Sequence, residues 1–277
     1  MKNKGVGLEN YLSHLVLIFF ALTALLPLSL VLINSFKMHA DIVRNPLALP
    51  SALNPANFIQ AWQAGKFAVG FTNSLIVTGT AIIVVILCSS LIGYVLAGKK
   101  VRTWPMIMIY FMMAMTVPIQ LFLFPLYFVF AKLHLIGNMV AVGVVLAAYY
   151  MPLAIFLMRT FFLKVPYELE EAAKMDGAGT YAILRYVMLP IVSPGLVTVS
   201  GIVGLQSWNE FLITSTFLQG ENCFTATLGF LSMNGTYTQD EGLMMAAAVI
   251  MIVPIVLFFI AIQKYFIDGL VSGAVKG

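Results

Sequence analysis

Six apolar stretches, each long enough to cross a lipid bilayer as a helix, constrain this chain more than any other feature. About 20 apolar residues cross the ~30 Å hydrocarbon core, and a helix pairs every backbone polar group internally. The composition agrees, because 9% of the residues are charged, whereas roughly a quarter are charged in a soluble domain. We predict an all-α integral membrane protein with six transmembrane helices, which run approximately over residues 12–36, 70–97, 105–131, 138–158, 187–206 and 242–262.

The segments between these stretches predict the orientation. Lys and Arg favour the cytoplasmic side of a membrane protein. With the N-terminus inside, the outer segments hold Lys37, Arg44, Lys66 and Lys132, and every other Lys or Arg lies on the inner side. We therefore expect both termini in the cytoplasm. No small-residue cleavage site follows the first stretch, so we expect a retained helix rather than a signal peptide.

Charged residues are almost absent from the hydrocarbon depth of the predicted spans. Ion-coupled carriers usually place carboxylates, lysines or histidines there as relays, so a proton- or sodium-driven carrier is disfavoured. A membrane hydrolase is disfavoured too, because no nucleophile–base pair appears at depth. Cys88 and Cys223 show no metal-type spacing. We predict no catalytic residue and no metal site, so the energy source lies on another protein or the chain is a passive channel.

Prolines and polar residues within the spans allow two interpretations. Proline favours kinks that can line a cavity, but it is also common in membrane helices generally. Polar side chains either face a translocation path or hydrogen-bond across helices. The span prolines are Pro27, Pro118, Pro125, Pro152, Pro194 and Pro254. The candidates for a path are Asn73, Gln120, Tyr127, Gln206, Trp208 and Asn209, and Ser74, Tyr149 and Tyr150 could face a path in the same way.

One charged insert, YELEEAAKMDGAGTYAILRYVMLP at residues 167–190, interrupts this apolar pattern. Pro166 suits the first turn of a helix, and the acidic residues after it complement the positive helix N-terminus. Leu169, Ala172 and Ala173 give that helix a small apolar face. Gly177 is a plausible left-handed stop, and Thr180 is a plausible cap for a second short helix that ends before the proline at 190. The insert reads either as a docking element for a cytoplasmic partner or as a solvated connecting loop.

The spacing of this insert resembles a known family. Glu171-Ala172-Ala173, three residues, Gly177, nine residues and Val187-Met188-Leu189-Pro190 resemble the EAA loop of ABC importer permeases, with Val in place of the family's Ile. The segments 34–37, 73–74, 208–210 and 272–277 are similar to carbohydrate-importer permeases. Together they resemble the shorter six-span permease of maltose-type systems.

The resemblance implies an architecture and a set of partners. A single permease domain over residues 1–277 would carry a cytoplasmic EAA loop over residues 166–190, a pair of coupling helices between the fourth and fifth spans. The partners would be a second permease, an ABC ATPase dimer and an extracytoplasmic solute-binding protein, in the lipid of a bacterial inner membrane and without nucleic acid. The chain itself would be non-catalytic and hold no cofactor, because ATP and Mg belong to the ATPase.

The resemblance also assigns residues to roles. Glu171 is expected to pair with a basic residue in a cleft of the ATPase. The remaining members of the expected coupling set are Ala172, Ala173, Asp176, Gly177, Leu189 and Pro190. The expected contacts with the binding protein are Met233, Asn234, Gly235, Thr236 and Tyr237. The tail after Asp268 is either a frayed terminus or a contact toward the ATPase dimer.

Three functional readings follow. The resemblance favours import of a sugar or oligosaccharide. A phosphorylated polyol such as glycerol-3-phosphate is the alternative within the family, but a phosphate usually requires Arg or Lys in the path, and none lies at depth here unless the second permease supplies it. A self-contained channel or secondary carrier is the alternative from another class, and it does not explain the EAA spacing. The identity of the sugar, direct contact with it, and pairing with a paralogue or a second copy stay open.

Overall fold

The structure is a computed structural model that describes residues 8–98, 102–235 and 240–274. It is helical, and no β-strand occurs in those ranges. The α-helices are α1 (Leu8–Asn34), α2 (His39–Arg44), α3 (Ala56–Ala64), α4 (Phe67–Ala97), α5 (Trp104–Thr116), α6 (Leu123–Lys132), α7 (Met139–Phe162), α8 (Tyr167–Met175), α9 (Thr180–Ala182), α10 (Leu189–Ile191), α11 (Ser193–Trp208), α12 (Leu212–Phe217), α13 (Ala226–Ser232) and α14 (Glu241–Ala274). Short 3₁₀ segments occupy Ile119–Phe122 and Glu221–Cys223, and a π-helical segment occupies Ile183–Met188.

Four helices in the described ranges are long and apolar enough to cross a membrane. They are Tyr11–Asn34, Phe67–Ala97, Met139–Phe162 and Glu241–Lys264. Two further candidates are bent pairs. Trp104–Thr116 with Ile119–Lys132 bends by 86°, and Thr180–Ile191 with Ser193–Trp208 bends by 75°. The chain thus has four to six candidate spans, and the count of six stays a prediction.

The first of these bends has a direct cause in the sequence. Pro118 has no N–H to continue helix α5, and its ring disfavours a helical conformation at the residue before it. Val117 accordingly adopts an extended conformation, with φ of −80° and ψ of 118°. The chain resumes as the 3₁₀ turn that leads into α6. Pro118 therefore produces the predicted kink as a complete break in the helix.

The described residues fall into two compact units. The first comprises the described parts of residues 1–67 together with 230–253, and the second comprises the described parts of 68–229 and 254–277. The single permease domain over residues 1–277 stays a prediction.

A fully buried lysine organises part of the first unit. The Lys37 side chain is 1% exposed, and its ammonium donates to the carbonyl oxygens of Asn45 and Pro46, each at 3.3 Å. The amide of Asn57 donates to the carbonyl oxygens of Ser35 at 3.0 Å and Lys37 at 2.8 Å. These bonds to backbone carbonyls hold the segment after α1 against α3, since a buried cation requires hydrogen-bond acceptors.

The second unit is built on closely packed α4, α7 and α11. Gly143 of α7 lies so near α4 that a Cβ atom there would be 2.7 Å from both Cβ of Thr80 and the carbonyl oxygen of Val77. Small residues allow membrane helices to approach in this way. Leu146 and Val199 are buried in the resulting core. This core carries the charged segment discussed next, because α8 follows α7 directly and α11 follows α10.

Candidate functional site

The charged segment begins with helix α8, which carries most of its acidic residues. Pro166 is the N-cap residue with extended geometry, one position before the helix rather than in its first turn. Glu168 and Glu170 lie in the first turn and Lys174 in the last, so the charges complement the helix dipole at both ends.

Gly177 ends this helix in the left-handed conformation that its sequence position predicts. Its φ is +82°. The N–H of Gly177 donates to the carbonyl oxygen of Lys174, and the N–H of Ala178 donates to that of Ala173, both at 3.0 Å. A residue with a Cβ atom is strained in this conformation, so glycine here is a requirement of the backbone.

Two details of the following helix correct the sequence prediction. Gly179 is the N-cap, with no side-chain cap bond, and Thr180 is the first helical residue instead of the cap. The helix also does not end before Pro190. The π-helical bond from the N–H of Leu189 to the carbonyl oxygen of Leu184 continues it, and Pro190 lies in the first turn of α10, where a missing N–H is tolerated.

One face of this segment is open to solvent in the chain. Glu171, Ala172, Asp176, Gly177 and Pro190 are exposed, whereas Ala173 and Leu189 are half-buried. Sequence reasoning missed three large side chains beside them, namely Met175, Tyr181 and Tyr186, which are 88%, 74% and 76% exposed. The sequence feature that could have identified them is the presence of large side chains in an otherwise charged segment. We call this set, Glu171, Ala172, Met175, Asp176, Tyr181 and Tyr186, the exposed coupling face.

The neighbouring glutamate, Glu170, faces the other way. Its carboxylate accepts hydrogen bonds from the Tyr94 hydroxyl at 3.4 Å and from the Lys174 ammonium at 2.5 Å. Tyr94 is 9% exposed, and its ring meets the edge of Phe162 at 5.6 Å. The hydrogen bond to Glu170 raises the pKa of Lys174 above its ordinary value. Glu170 therefore ties α8 to the end of α4, a contact that sequence reasoning did not foresee.

The connection from this segment into α11 is tightly packed. Ile183, Leu184, Met188 and Val192 are buried. A Cβ atom on Gly195 would lie 2.5 Å from Cγ of the Phe161 ring on α7, a distance that real Cβ atoms do not tolerate. The segment between α8 and α11 is therefore part of the same packed core as α7 and α11.

The residues predicted to face a translocation path occupy separate environments. Asn73 is buried, and its amide donates to the carbonyl oxygens of Asn222 and Phe224, both at 2.9 Å. It therefore makes the cross-helix type of bond that was the alternative. Trp208 stacks on Phe71 with ring centroids 5.8 Å apart, and the Nε1 of Trp208 has no hydrogen-bond partner among the described residues.

The other path candidates lie nearer the surface of the chain. The Tyr127 hydroxyl accepts a hydrogen bond from Gln219 at 3.4 Å, and the Asn209 amide donates to the carbonyl oxygen of Leu205 at 2.8 Å. Gln120 and Gln206 are exposed. Within the described ranges no hydrogen bond or ring contact joins any two of the six candidates, so the structure does not gather them into one site.

The predicted contacts with a binding protein are partly corrected. Met233 is 1% exposed, and its sulfur packs beside Gly65 in the first unit, so its side chain is not available to an outside partner. Asn234 and Gly235 are exposed. Thr236 and Tyr237 lie outside the described residues. In the tail, α14 extends to Ala274.

Comparison with known proteins relates this geometry to transport. The family model for "Binding-protein-dependent transport system inner membrane component" matches residues 86–271. The chain is 33% identical to the arabinooligosaccharides transport system permease protein AraQ of Halalkalibacterium halodurans, over 100% of both chains. It is 31% identical to the melibiose/raffinose/stachyose import permease protein MelC of Bacillus subtilis, over 91% of each.

A solved structure shares the fold. The chain matches the crystal structure of a bacterial ABC transporter involved in the import of the acidic polysaccharide alginate with a TM-score of 0.78 and 21% identity. The match covers 96% of this chain and 99% of that one. From the family match and the full-length relative together, we conclude that the chain belongs to the family of binding-protein-dependent transport system inner membrane components.

Proposed function

We propose that this chain is a permease subunit of an ATP-driven importer and that it forms, with a second permease, the path for a sugar or oligosaccharide. The observation that carries the proposal is its full-length likeness to permeases named for carbohydrate uptake. An extracytoplasmic binding protein delivers the sugar. An ABC ATPase dimer supplies the energy and holds the ATP and Mg, and the chain itself needs no cofactor.

The exposed coupling face is the surface on which we expect the ATPase to act. It combines the carboxylates of Glu171 and Asp176 with the large apolar side chains of Met175, Tyr181 and Tyr186. A cleft with an apolar floor and a basic residue at its edge is complementary to that combination. In this arrangement Glu171 binds the partner, and Glu170 binds Tyr94 within the chain. Movement of α8 then displaces α4 as well as α7.

This role determines the orientation. The ATPase is cytoplasmic, so α8–α10 form the coupling-helix pair on the cytoplasmic side, between the fourth and fifth of six spans. The distribution of Lys and Arg supports the same orientation, with both termini in the cytoplasm of a bacterial cell.

A neutral sugar suits the described spans better than a phosphorylated polyol. A phosphate group in the path would need an available Arg or Lys. Arg159 lies near the end of α7, but its Nε donates to the carbonyl oxygen of Leu96 at 3.1 Å, and its guanidinium lies 3.9 Å from the Trp104 ring centroid. Arg159 therefore serves the packing of this chain.

Reconstitution tests the proposal. The chain is purified in mild detergent from its own host, and the retained proteins are identified by mass spectrometry. The assembly is then placed in liposomes with its binding protein and labelled arabinooligosaccharides or raffinose. We expect uptake that requires ATP and stops with a hydrolysis-deficient ATPase. A chain that purifies alone and conducts solute without ATP would instead be a channel or a carrier.

A further inference from the structure

The 86° bend between α5 and α6 borders an open cavity that is lined by none of the six path candidates but by Tyr149, which the sequence groups with them. Its volume is about 560 Å³, within the range of small-molecule sites. It lies between the bent pair and α7. The residues that matter here are Tyr110, Val117, Phe122, Leu126, Tyr149 and Pro152, and the lining contains no charged side chain.

The break in the helix leaves a free backbone acceptor beside this cavity. Val117 lines the cavity, and its carbonyl oxygen receives no backbone hydrogen bond within the described residues. Irregular backbone at membrane depth is tolerated where it is buried in protein or lines a water-filled cavity. An acceptor without a backbone partner at this position suits a cavity that admits water or a polar ligand better than a surface for lipid tails.

Two tyrosines add further polar groups at the same place. Tyr110 and Tyr149 are 64% and 42% exposed in the chain, and neither hydroxyl has a hydrogen-bond partner among the described residues. Tyr149 is far from both ends of α7, since a rise of 1.5 Å per residue places it about 15 Å from Met139 and about 20 Å from Phe162 along the axis. The common position of tyrosine at the membrane surface does not explain it.

We propose that this cavity is a carbohydrate subsite, in which the Tyr149 and Tyr110 rings contact the apolar face of a sugar ring and their hydroxyls and the Val117 carbonyl bind its hydroxyl groups. The proposal rests on the proposed function and adds direct contact between this chain and the transported sugar. Aromatic walls with a few convergent polar groups suit a small neutral ligand. The absence of charge in the lining disfavours an anion. Discontinuous helices also form the substrate sites of many secondary transporters.

Thiol labelling tests this subsite directly. Cys88 and Cys223 are first replaced by serine, and Tyr149→Cys and Tyr110→Cys are made separately in that background. Each variant is reconstituted with the second permease, the ATPase and the binding protein. Labelling by a small, water-soluble thiol reagent is then followed with and without arabinooligosaccharides or raffinose. Phe128→Cys is the matched control, because Phe128 is 65% exposed on α6 and does not line the cavity.

We expect both tyrosine positions to be labelled from water and the sugar to slow their labelling about 5- to 10-fold, the scale of one well-bound ligand contact. The control should show no such protection. Absence of labelling would mean that lipid or a helix of the second permease fills the cavity, and labelling without protection would mean that it holds only water. Either result overturns the subsite.

Transport by two further variants separates this outcome from failure of the importer itself. Tyr149→Phe keeps the ring and Tyr149→Ala removes it, so uptake should fall modestly in the first and at least about 10-fold in the second. Normal uptake by Tyr149→Ala would contradict the subsite while leaving the proposed function intact. Absence of ATP-dependent uptake in the unmodified assembly would overturn the proposed function, and the subsite with it.

Discussion

The two bent candidate spans both contain proline, yet they are built in opposite ways. At the bend of 86° around Pro118, the side chains of Tyr110, Met113 and Phe122 remain 46% to 64% exposed and border a cavity. At the bend of 75°, Val192 is 3% exposed and belongs to the core of the second unit, while Ile191 beside it is 45% exposed. At Pro118 the helix is broken completely, whereas at Pro190 the bond from the N–H of Leu189 to the carbonyl oxygen of Leu184 continues it. The two bends therefore differ in backbone hydrogen bonding as well as in what packs beside them.

This contrast separates two mechanical roles. A bend that is filled by protein side chains moves as one piece with its neighbours, because close-packed interiors transmit strain. A bend that borders open space can admit a ligand without disturbing a core. On the proposed function, we expect the packed bend to transmit motion and the open bend to contact the transported sugar.

The largest loss of stability and transport should come from a larger side chain at the packed bend. Gly195→Leu forces a side chain into the Phe161 ring, which lies 2.5 Å from the position of a Cβ atom. Overpacking of this kind costs roughly 1–3 kcal/mol or more, so we expect a lower melting temperature and little transport. Gly79→Leu is the matched control, because a Cβ atom there meets nothing within 4 Å. Equal melting temperatures for the two variants would show that the bend is not rigidly packed.

Reversal of one charge on the exposed coupling face should abolish transport without unfolding the chain. Glu171→Lys removes the expected ion pair with the ATPase and puts like charges together, so we expect at least about a 100-fold loss of ATP-dependent uptake. The control is Glu168→Lys, another exposed glutamate of α8, which lies one helical turn before Glu171. Uptake and co-purification of the ATPase measure the effect. Similar losses of uptake in both variants would show that Glu171 has no specific role in binding the ATPase.

The sequence predicted the apolar spans and the glycine turn because each depends on local chemistry. Hydrophobic length defines the spans, and Gly177 with φ of +82° occupies a conformation that glycine favours. Proline at 118 likewise predicted an interruption, but not its angle, because the angle depends on how α5 and α6 pack against α7.

Features that depend on distant partners were not predictable in the same way. Asn73 binds the carbonyl oxygen of Asn222, and Met233 is buried against residues far away in the chain. Glu170 and Glu171 are adjacent and chemically equal. Lys174, four residues on, pairs locally with Glu170, but the contact of Glu170 with Tyr94 joins residues 76 positions apart, and no local pattern reveals it.

A smaller effect should follow from strain at the turn after α8. Gly177→Val places a β-branched residue at positive φ, at a cost of about 1–2 kcal/mol. No atom lies within 4 Å of a Cβ atom there, so the effect is one of backbone conformation alone. The control is Gly179→Val, because a Cβ atom there also meets nothing within 4 Å. Its φ of −73° and ψ of 162° are values that valine adopts without strain. We expect reduced coupled uptake in the first variant alone. Equal uptake in both would show that the turn tolerates a side chain.

The smallest effect should come from the internal bond that joins α8 to α4. Tyr94→Phe removes the hydroxyl that donates to Glu170 at 3.4 Å and keeps the ring beside Phe162. Lys174 still binds Glu170, so α8 should stay folded and bound to the ATPase. If Tyr94 helps to pull α4 with α8, the reconstituted variant should hydrolyse more ATP per sugar imported, by about 2- to 5-fold, as expected for one weak hydrogen bond. Tyr11→Phe on the exposed side of α1 should leave that ratio unchanged. An unchanged ratio of ATP hydrolysed to sugar imported in Tyr94→Phe would mean that motion of α8 is transmitted only through the packed bend of α9–α11. The open bend would then move without a direct link from α8 to α4.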